Sequence, residues 1–240
     1  MVRFLAELLD ADGHVSHQHF IERLGKSFDL GDSIKISAVH EQRFESAETE
    51  SATRIAEIKD EFGRVRAAIV SSAVQSFQPD ASGTRTRFPE AHTGKTLEDI
   101  MAVEPYLAFY TAQQRNVDFR IRDLHALTRD AIADLSPQLA QLAALDTVLA
   151  GPLSVPGRRS FARVPRLLGR RFATLQDEHN RDSPETSNAE PATARDRWEH
   201  TLRQFRVEMK GLLLAEIETR LLPTLGLIKA LDELEEHDDD

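Results

Sequence analysis

From Ile100 onward the chain keeps one spacing for five heptads: Ile100, Val103, Leu107, Tyr110, Gln114, Val117, Ile121, Leu124, Thr128, Ala131 and Leu135. Steps of three and four put all of these side chains on one stripe of an α-helix; on a strand they would fall on both faces. A pattern this long commits the segment to a helix and its stripe to burial against other helices. At 1.5 Å per residue the helix would run for roughly 60 Å. Thr96, with Asp99 at the third helical position, supplies its N-terminal cap. Pro105 predicts a kink near its start.

Two more seams share the pattern. Ile55, Ile58, Phe62, Val65 and Ile69 lie in a helix expected over 52–77. Trp198, Leu202, Phe205, Met209, Leu212, Ile217 and Leu221 lie in a last helix expected over 194–234, bent at Pro223 and Gly226. Between the seams, Ser136 and Pro137 read as a cap followed by proline at the first helical position. The helix they start carries Leu139, Leu142, Leu145 and Leu149 and is expected to stop at Gly151 and Pro152. A further helix covers roughly 160–179, interrupted or begun at Pro165. Upstream, short helices are expected over 2–10, 18–28 and 33–40; in the last, Ile34 and Ile36 flanking Lys35 also allow a short strand. Residues 45–53 lack large apolar side chains and read as a solvated spacer or the exposed part of a longer helix. Residues 78–95, with two Pro and two Gly, read as a loop.

Composition agrees. Aromatic residues make up 6% of the chain, and Leu and Ala are its commonest residues, which favours helix over a β-sandwich. The expected fold is all-α: an elongated helical bundle with long antiparallel, coiled-coil-like helices. Its parts are a short-helix region (1–44), a long-helix bundle (52–179), a flexible linker (180–194), a C-terminal helix packing on the bundle (195–231) and an acidic tail (232–240).

The absence of cysteine excludes a disulfide scaffold, a Cys-based zinc site and a Cys nucleophile. Arg3, Glu7 and Asp10 leave no apolar signal core at the start. The apolar run 221–228 is far shorter than the roughly 20 residues a membrane span needs, so no span is expected. Gly94-Lys95-Thr96 resembles the end of a phosphate-binding loop, but the first glycine of that motif would stand at 89, where the chain has Pro89. His14, His17 and His19, beside Asp10 and Asp12, carry donors suited to zinc or nickel. Their spacing straddles a turn and a helix start and fits no ligand pattern, so a solvated helix start is the reading and a metal site the alternative. Carboxylate pairs such as Asp118 with Asp123, Asp130 with Asp134, and Glu216 with Glu218 stand among arginines at helical spacing and read as solvated faces. No catalytic residue, cofactor or metal is assigned.

Two features point outward. Between Asp146 and Asp177 there is no acid, while Arg158, Arg159, Arg163, Arg166, Arg170 and Arg171 fall in that interval. On one continuous helix Arg159, Arg163, Arg166 and Arg170 would lie within about 60° of each other, opposite Phe161, Val164, Leu168, Phe172 and Leu175. This stripe is a candidate contact for an anion or a partner: acidic side chains, nucleic-acid phosphates or an anionic membrane surface. The net charge of −10 opposes nonspecific nucleic-acid binding. The second feature is a pair of aromatics off the long seam. With Ile100 at zero, Phe109 lies at about 180° and Phe119 at about 100°, whereas Leu107 and Tyr110 lie at about 340° and 280°. Either both are buried in the fold or they form a protein interface, through self-association or a coiled-coil partner.

The opening RFLAELLDADGHVSHQHFIERLGKSFDLGDSI, together with SFARVPRLLGRRF and LLLAEIETRLLPTLGLIKAL, resembles a bacterial family catalogued as domain of unknown function 3348. The resemblance covers most of the chain, more loosely in the middle and the linker, and transfers no catalytic residue. It implies a bacterial cytosolic protein encoded beside a membrane protein with a long coiled-coil tail and an OmpA-like wall-binding protein, a pairing similar to proton-driven stators. The expected function is therefore a non-catalytic adaptor or scaffold subunit. It would be cytoplasmic, peripheral to an inner-membrane complex, and bound to itself or to a subunit of that complex. The alternative is a nucleic-acid-binding protein using the basic helix 158–171.

Overall fold

The computed structural model describes residues 28–44, 51–78, 88–89, 96–181 and 191–238. The expected helix over 2–10, nearly all of that over 18–28, and the His14, His17 and His19 cluster fall outside the described residues. Every described element is a helix: α1 (Leu30–Glu41), α2 (Ser51–Ser76), α3 (Leu97–Met101), α4 (Glu104–Ala133), α5 (Pro137–Phe161), α6 (Val164–Arg181) and α7 (Pro191–Asp238). The fold is an all-α bundle.

Helix α4 is its centre, packing on α2, α5, α6 and α7. The seam read from the sequence is the buried one: Tyr110, Gln114, Val117, Ile121, Leu124 and Thr128 are all buried along it. Phe77 at the end of α2 meets Phe109 near the start of α4, while Ile55 at the start of α2 shares a cluster with Ile132 at the end of α4, so α2 is antiparallel to α4. Helices α5 and α6 return along α4 end to end: α5 brings Asp146 to His125, and α6 brings Phe172 to Tyr106. The last helix runs parallel to α4, because Tyr110, Asp118 and His125 meet Glu216, Arg220 and Thr224 in the same order.

Several boundaries differ from expectation. The long helix is divided at Ala102, which is extended, and α4 starts afresh with Pro105 in its first turn. Proline there removes an N–H that has no intrahelical partner in any case, so it starts a helix instead of kinking one. The division leaves the last carbonyls of α3 without helical partners. Side chains from three helices take them: Trp198 Nε1 donates to Ile100 O at 3.0 Å, the Tyr106 hydroxyl to the same oxygen at 3.5 Å, and Gln176 Nε2 to Met101 O at 2.7 Å.

Helix α5 does not stop at Gly151 and Pro152 but continues to Phe161. Proline inside a helix frees one carbonyl, here that of Val148, and on a stretch with no buried side chain water can accept that role. Ser154 Oγ donates to Gly151 O at 2.9 Å within the same turn. The break falls at Ala162 and Arg163 instead, and Pro165 enters the first turn of α6. Helix α7 runs unbroken through Pro223, which is exposed. It extends through Asp238, so the segment read as an acidic tail is helical that far, and Asp232 pairs with Lys59 of α2 at 2.6 Å. The helix expected over 33–40 starts earlier, at Leu30, where Asp29 caps α1 through a reciprocal capping box with Asp32.

The core has an aromatic end and an aliphatic end. At the first, Phe77, Phe88, Tyr106, Phe109, Phe172, Trp198 and Phe205 touch ring to ring, with centroids 4.9–6.2 Å apart. Mostly edge-on or tilted pairs like these add to the gain from burial. At the other end Ile55, Ile58, Ile132, Leu135, Leu139, Ala143, Leu227 and Leu231 form an aliphatic cluster.

Candidate functional site

Between the two ends a polar layer crosses the bundle. Glu216 was read as solvated beside Glu218; Glu218 is exposed, but Glu216 is completely buried, 0% accessible. A carboxylate in that position is tolerable only when neighbours satisfy its oxygens. Gln114 Nε2 donates to both Glu216 oxygens, at 3.1 and 2.9 Å, and also to the carbonyl of Phe161 that ends α5. Tyr110 donates its hydroxyl at 3.2 Å. Arg220, one turn on along α7, donates Nε and Nη2 to Glu216 Oε1 at 3.0 and 2.7 Å and Nη1 to Asp118. Its guanidinium carbon lies 4.0 Å from the Phe161 ring centroid, a cation–π contact. Asp118 also takes the expected i,i+4 pair with Arg122 at 2.8 Å. Burial and the adjacent Glu216 push Tyr110 well above the usual tyrosine range, so it stays a phenol and a donor.

Two turns further along α4, His125 bridges two helices. Its Nε2 stands 2.8 Å from Asp146 Oδ2 on α5, and its Nδ1 stands 3.1 Å from Thr224 Oγ1 on α7. Hydroxyl, imidazole and carboxylate in a row have the connectivity of a nucleophile-activating relay. A relay works only where a substrate reaches the hydroxyl, and Thr224 is 0% exposed inside the bundle. The arrangement ties α4, α5 and α7 together at one level. No buried side-chain polar atom among the described residues lacks a hydrogen-bond partner. Among them, too, no three His, Asp or Glu side chains converge as a metal site.

The outward-pointing candidates are distributed differently from the sequence expectation. The arginine stripe is not on one helix: Arg158 and Arg159 end α5, Arg163 stands in the turn, and Arg166 and Arg170 are on α6. All five are exposed, and among the described residues none of them is paired with a carboxylate. Arg171 alone turns inward, forking onto Glu208 of α7 at 3.1 and 2.9 Å, and that hydrogen bonding raises its pKa further. The two off-seam aromatics part company. Phe109 is 2% exposed, packed on Phe77 and Phe88, and is core, not interface. Phe119 is 66% exposed on the outer face of α4, with exposed Leu127 two turns on.

Sequence reasoning missed the polar layer. Its only signals were a lone acid inside the apolar run from Leu212 to Ile217, with Arg220 four residues on, and the polar Gln114 at a seam position. It also missed the surface character of α5. The stretch Pro137–Arg181 contains an 18-residue window of mean hydropathy 1.2 of which 12% is buried, long and apolar enough by length and composition alone to cross a membrane. In the fold α5 is an outer helix of the bundle, holding α4 through Leu139, Ala143, Asp146 and Phe161.

A family model described as protein of unknown function (DUF3348) matches residues 1–233. No curated protein and no solved structure matches the chain.

Proposed function

Since the chain belongs to the DUF3348 family, matching it over nearly its whole length, we propose that it is a non-catalytic adaptor or scaffold subunit of a multiprotein assembly. The observation that carries this reading is Phe119. A large aromatic side chain two-thirds exposed at the middle of the central helix, near an exposed Leu127, leaves apolar surface for a partner to cover. Aromatic anchors of this kind dominate the energetics of interfaces. The face is straight, helical and flanked by Arg115, Arg122 and Asp123, which suits an incoming helix that lays its own seam along α4. The partner proposed for this face is the cytoplasmic coiled-coil tail of a stator-like membrane complex, with the protein peripheral to the inner membrane. The buried polar groups support a structural role, since each is occupied with holding helices together.

Phe119→Ser tests this. The expected outcome is an isolated chain whose melting temperature hardly moves and whose recovery of the coiled-coil tail, or of itself, falls at least about tenfold. Unchanged recovery would overturn the assignment of this face.

A further inference from the structure

The segment from Asp146 to Asp177 combines two surfaces that no described residue covers. The first is basic: Arg158, Arg159, Arg163, Arg166 and Arg170, exposed and without a carboxylate partner among the described residues. The second is apolar and directly precedes it. No charged residue stands between Asp146 and Arg158, and no described side chain between Ala143 and Phe161 is buried. Leu153 and Val155 are exposed there, with Val148 and Leu149 half-covered.

Among the described residues, no carboxylate of the acidic end pairs with these arginines. Phe161, between Arg159 and Arg163, marks the near end of their run by its contact with Arg220, and from Arg220 to Asp232 helix α7 runs 12 residues, about 18 Å. Nucleic acid would engage the guanidinium groups but not the aliphatic strip, and the aromatics nearest the arginines, Phe161 and Phe172, are buried and offer no stacking surface.

We propose that the C-terminal half of α5 and the outer face of α6 form a peripheral docking surface for an anionic lipid bilayer. Val155, one turn before Arg159 on the same side of α5, enters the boundary between headgroups and acyl chains with Leu153 at the flank of that side, and Arg159, Arg163, Arg166 and Arg170 engage lipid phosphates. Each half of the surface matches one layer of the bilayer: guanidinium forks fit phosphate oxygens, and short aliphatic side chains fit the acyl edge. The proposal concerns a different face from that of Phe119 and stands independently of the adaptor reading.

The experiment is co-sedimentation of the full chain with vesicles of phosphatidylcholine alone and of phosphatidylcholine with phosphatidylglycerol. Anionic vesicles should bind at least about tenfold better, with binding falling as salt rises. Two surface variants follow, both expected to keep the wild-type melting temperature: R159S/R163S/R166S/R170S, and Leu153→Ser with Val155→Ser. Each should lose most of the vesicle binding, and fourfold Arg→Lys replacement should keep most of it because the charge remains. Equal binding to neutral and anionic vesicles would overturn the proposal. So would full binding by the Leu153 and Val155 variant, or tighter binding to duplex DNA than to anionic vesicles. That last result would assign the arginines to nucleic acid.

Discussion

Helices α5 and α6 follow one another along the same partner helix, yet they are held to it in different ways. Helix α6 puts Val164, Leu168, Phe172 and Leu175 into the aromatic end of the core, forks Arg171 onto Glu208 and gives Gln176 to the end of α3. Helix α5 buries Leu139, Ala143 and Phe161, and joins His125 through Asp146. The difference teaches that helical pattern and helical burial are separate matters. The basic amphipathic segment sits firmly in the fold. The more apolar segment packs on α4 and on α1, yet between Ala143 and Phe161 none of its described side chains is buried.

The largest expected contrast comes from truncating one side chain on each helix. Phe172→Ala should cost about 3–5 kcal/mol, as for other buried phenylalanines, because Phe172 touches Tyr106, Trp198 and Phe205. Leu153→Ala on α5 should stay within about 0.5 kcal/mol. Denaturant melts of the two variants measure both, and a Leu153 effect above 2 kcal/mol would erase the contrast.

The polar layer should respond nearly as strongly. Arg220→Ala leaves Glu216 buried without its cation, an arrangement that typically costs about 3–5 kcal/mol. Replacing Arg220 with Met and Glu216 with Leu together should recover much of that loss, which a double-mutant cycle would show.

A smaller effect follows from alkaline pH, and it falls on the aromatic end. Burial pushes Tyr106 up to about 12 and Tyr110 well above its ordinary value. A folded-state pKa raised above the unfolded 10 contributes stability that is complete below pH 10 and is lost as pH rises toward 12. A shift of this size corresponds to about 2–3 kcal/mol for Tyr106. These are the only two tyrosines in the chain, so tyrosinate absorbance should appear together with loss of helical signal, not before it. Ionisation near pH 10 in the folded protein would refute the burial of both.

The smallest effect concerns helix ends. Ser136→Ala should cost about 1 kcal/mol, since Ser136 Oγ accepts from the Leu139 amide at 3.2 Å to cap α5. Amide exchange should speed up first in α5 and not in α6.

The seams of α2, α4 and α7 were legible because a 3-4 spacing can be buried only as a helix, and the residues along them are the core. The caps at Thr96 and Ser136 were legible for a similar reason, since their hydrogen bonds close within three residues. Phe88 was not legible: it lies in a stretch read as loop, and only its contacts with Phe77, Tyr106 and Phe109 place it in the core. The polar layer was hidden because Tyr110, Gln114 and Asp118 meet Glu216 and Arg220 across about a hundred residues of sequence.

Sequence by itself determined the helical class and the buried stripes. Helical periodicity and capping are local, so they can be read without knowing the neighbours. The tertiary structure alone decided that Phe109 is core while Phe119 is surface, that Arg171 turns inward while five other arginines do not, and that Glu216 is buried. Each of those outcomes depends on which helix lies alongside, and the partners that settle it come from distant parts of the chain.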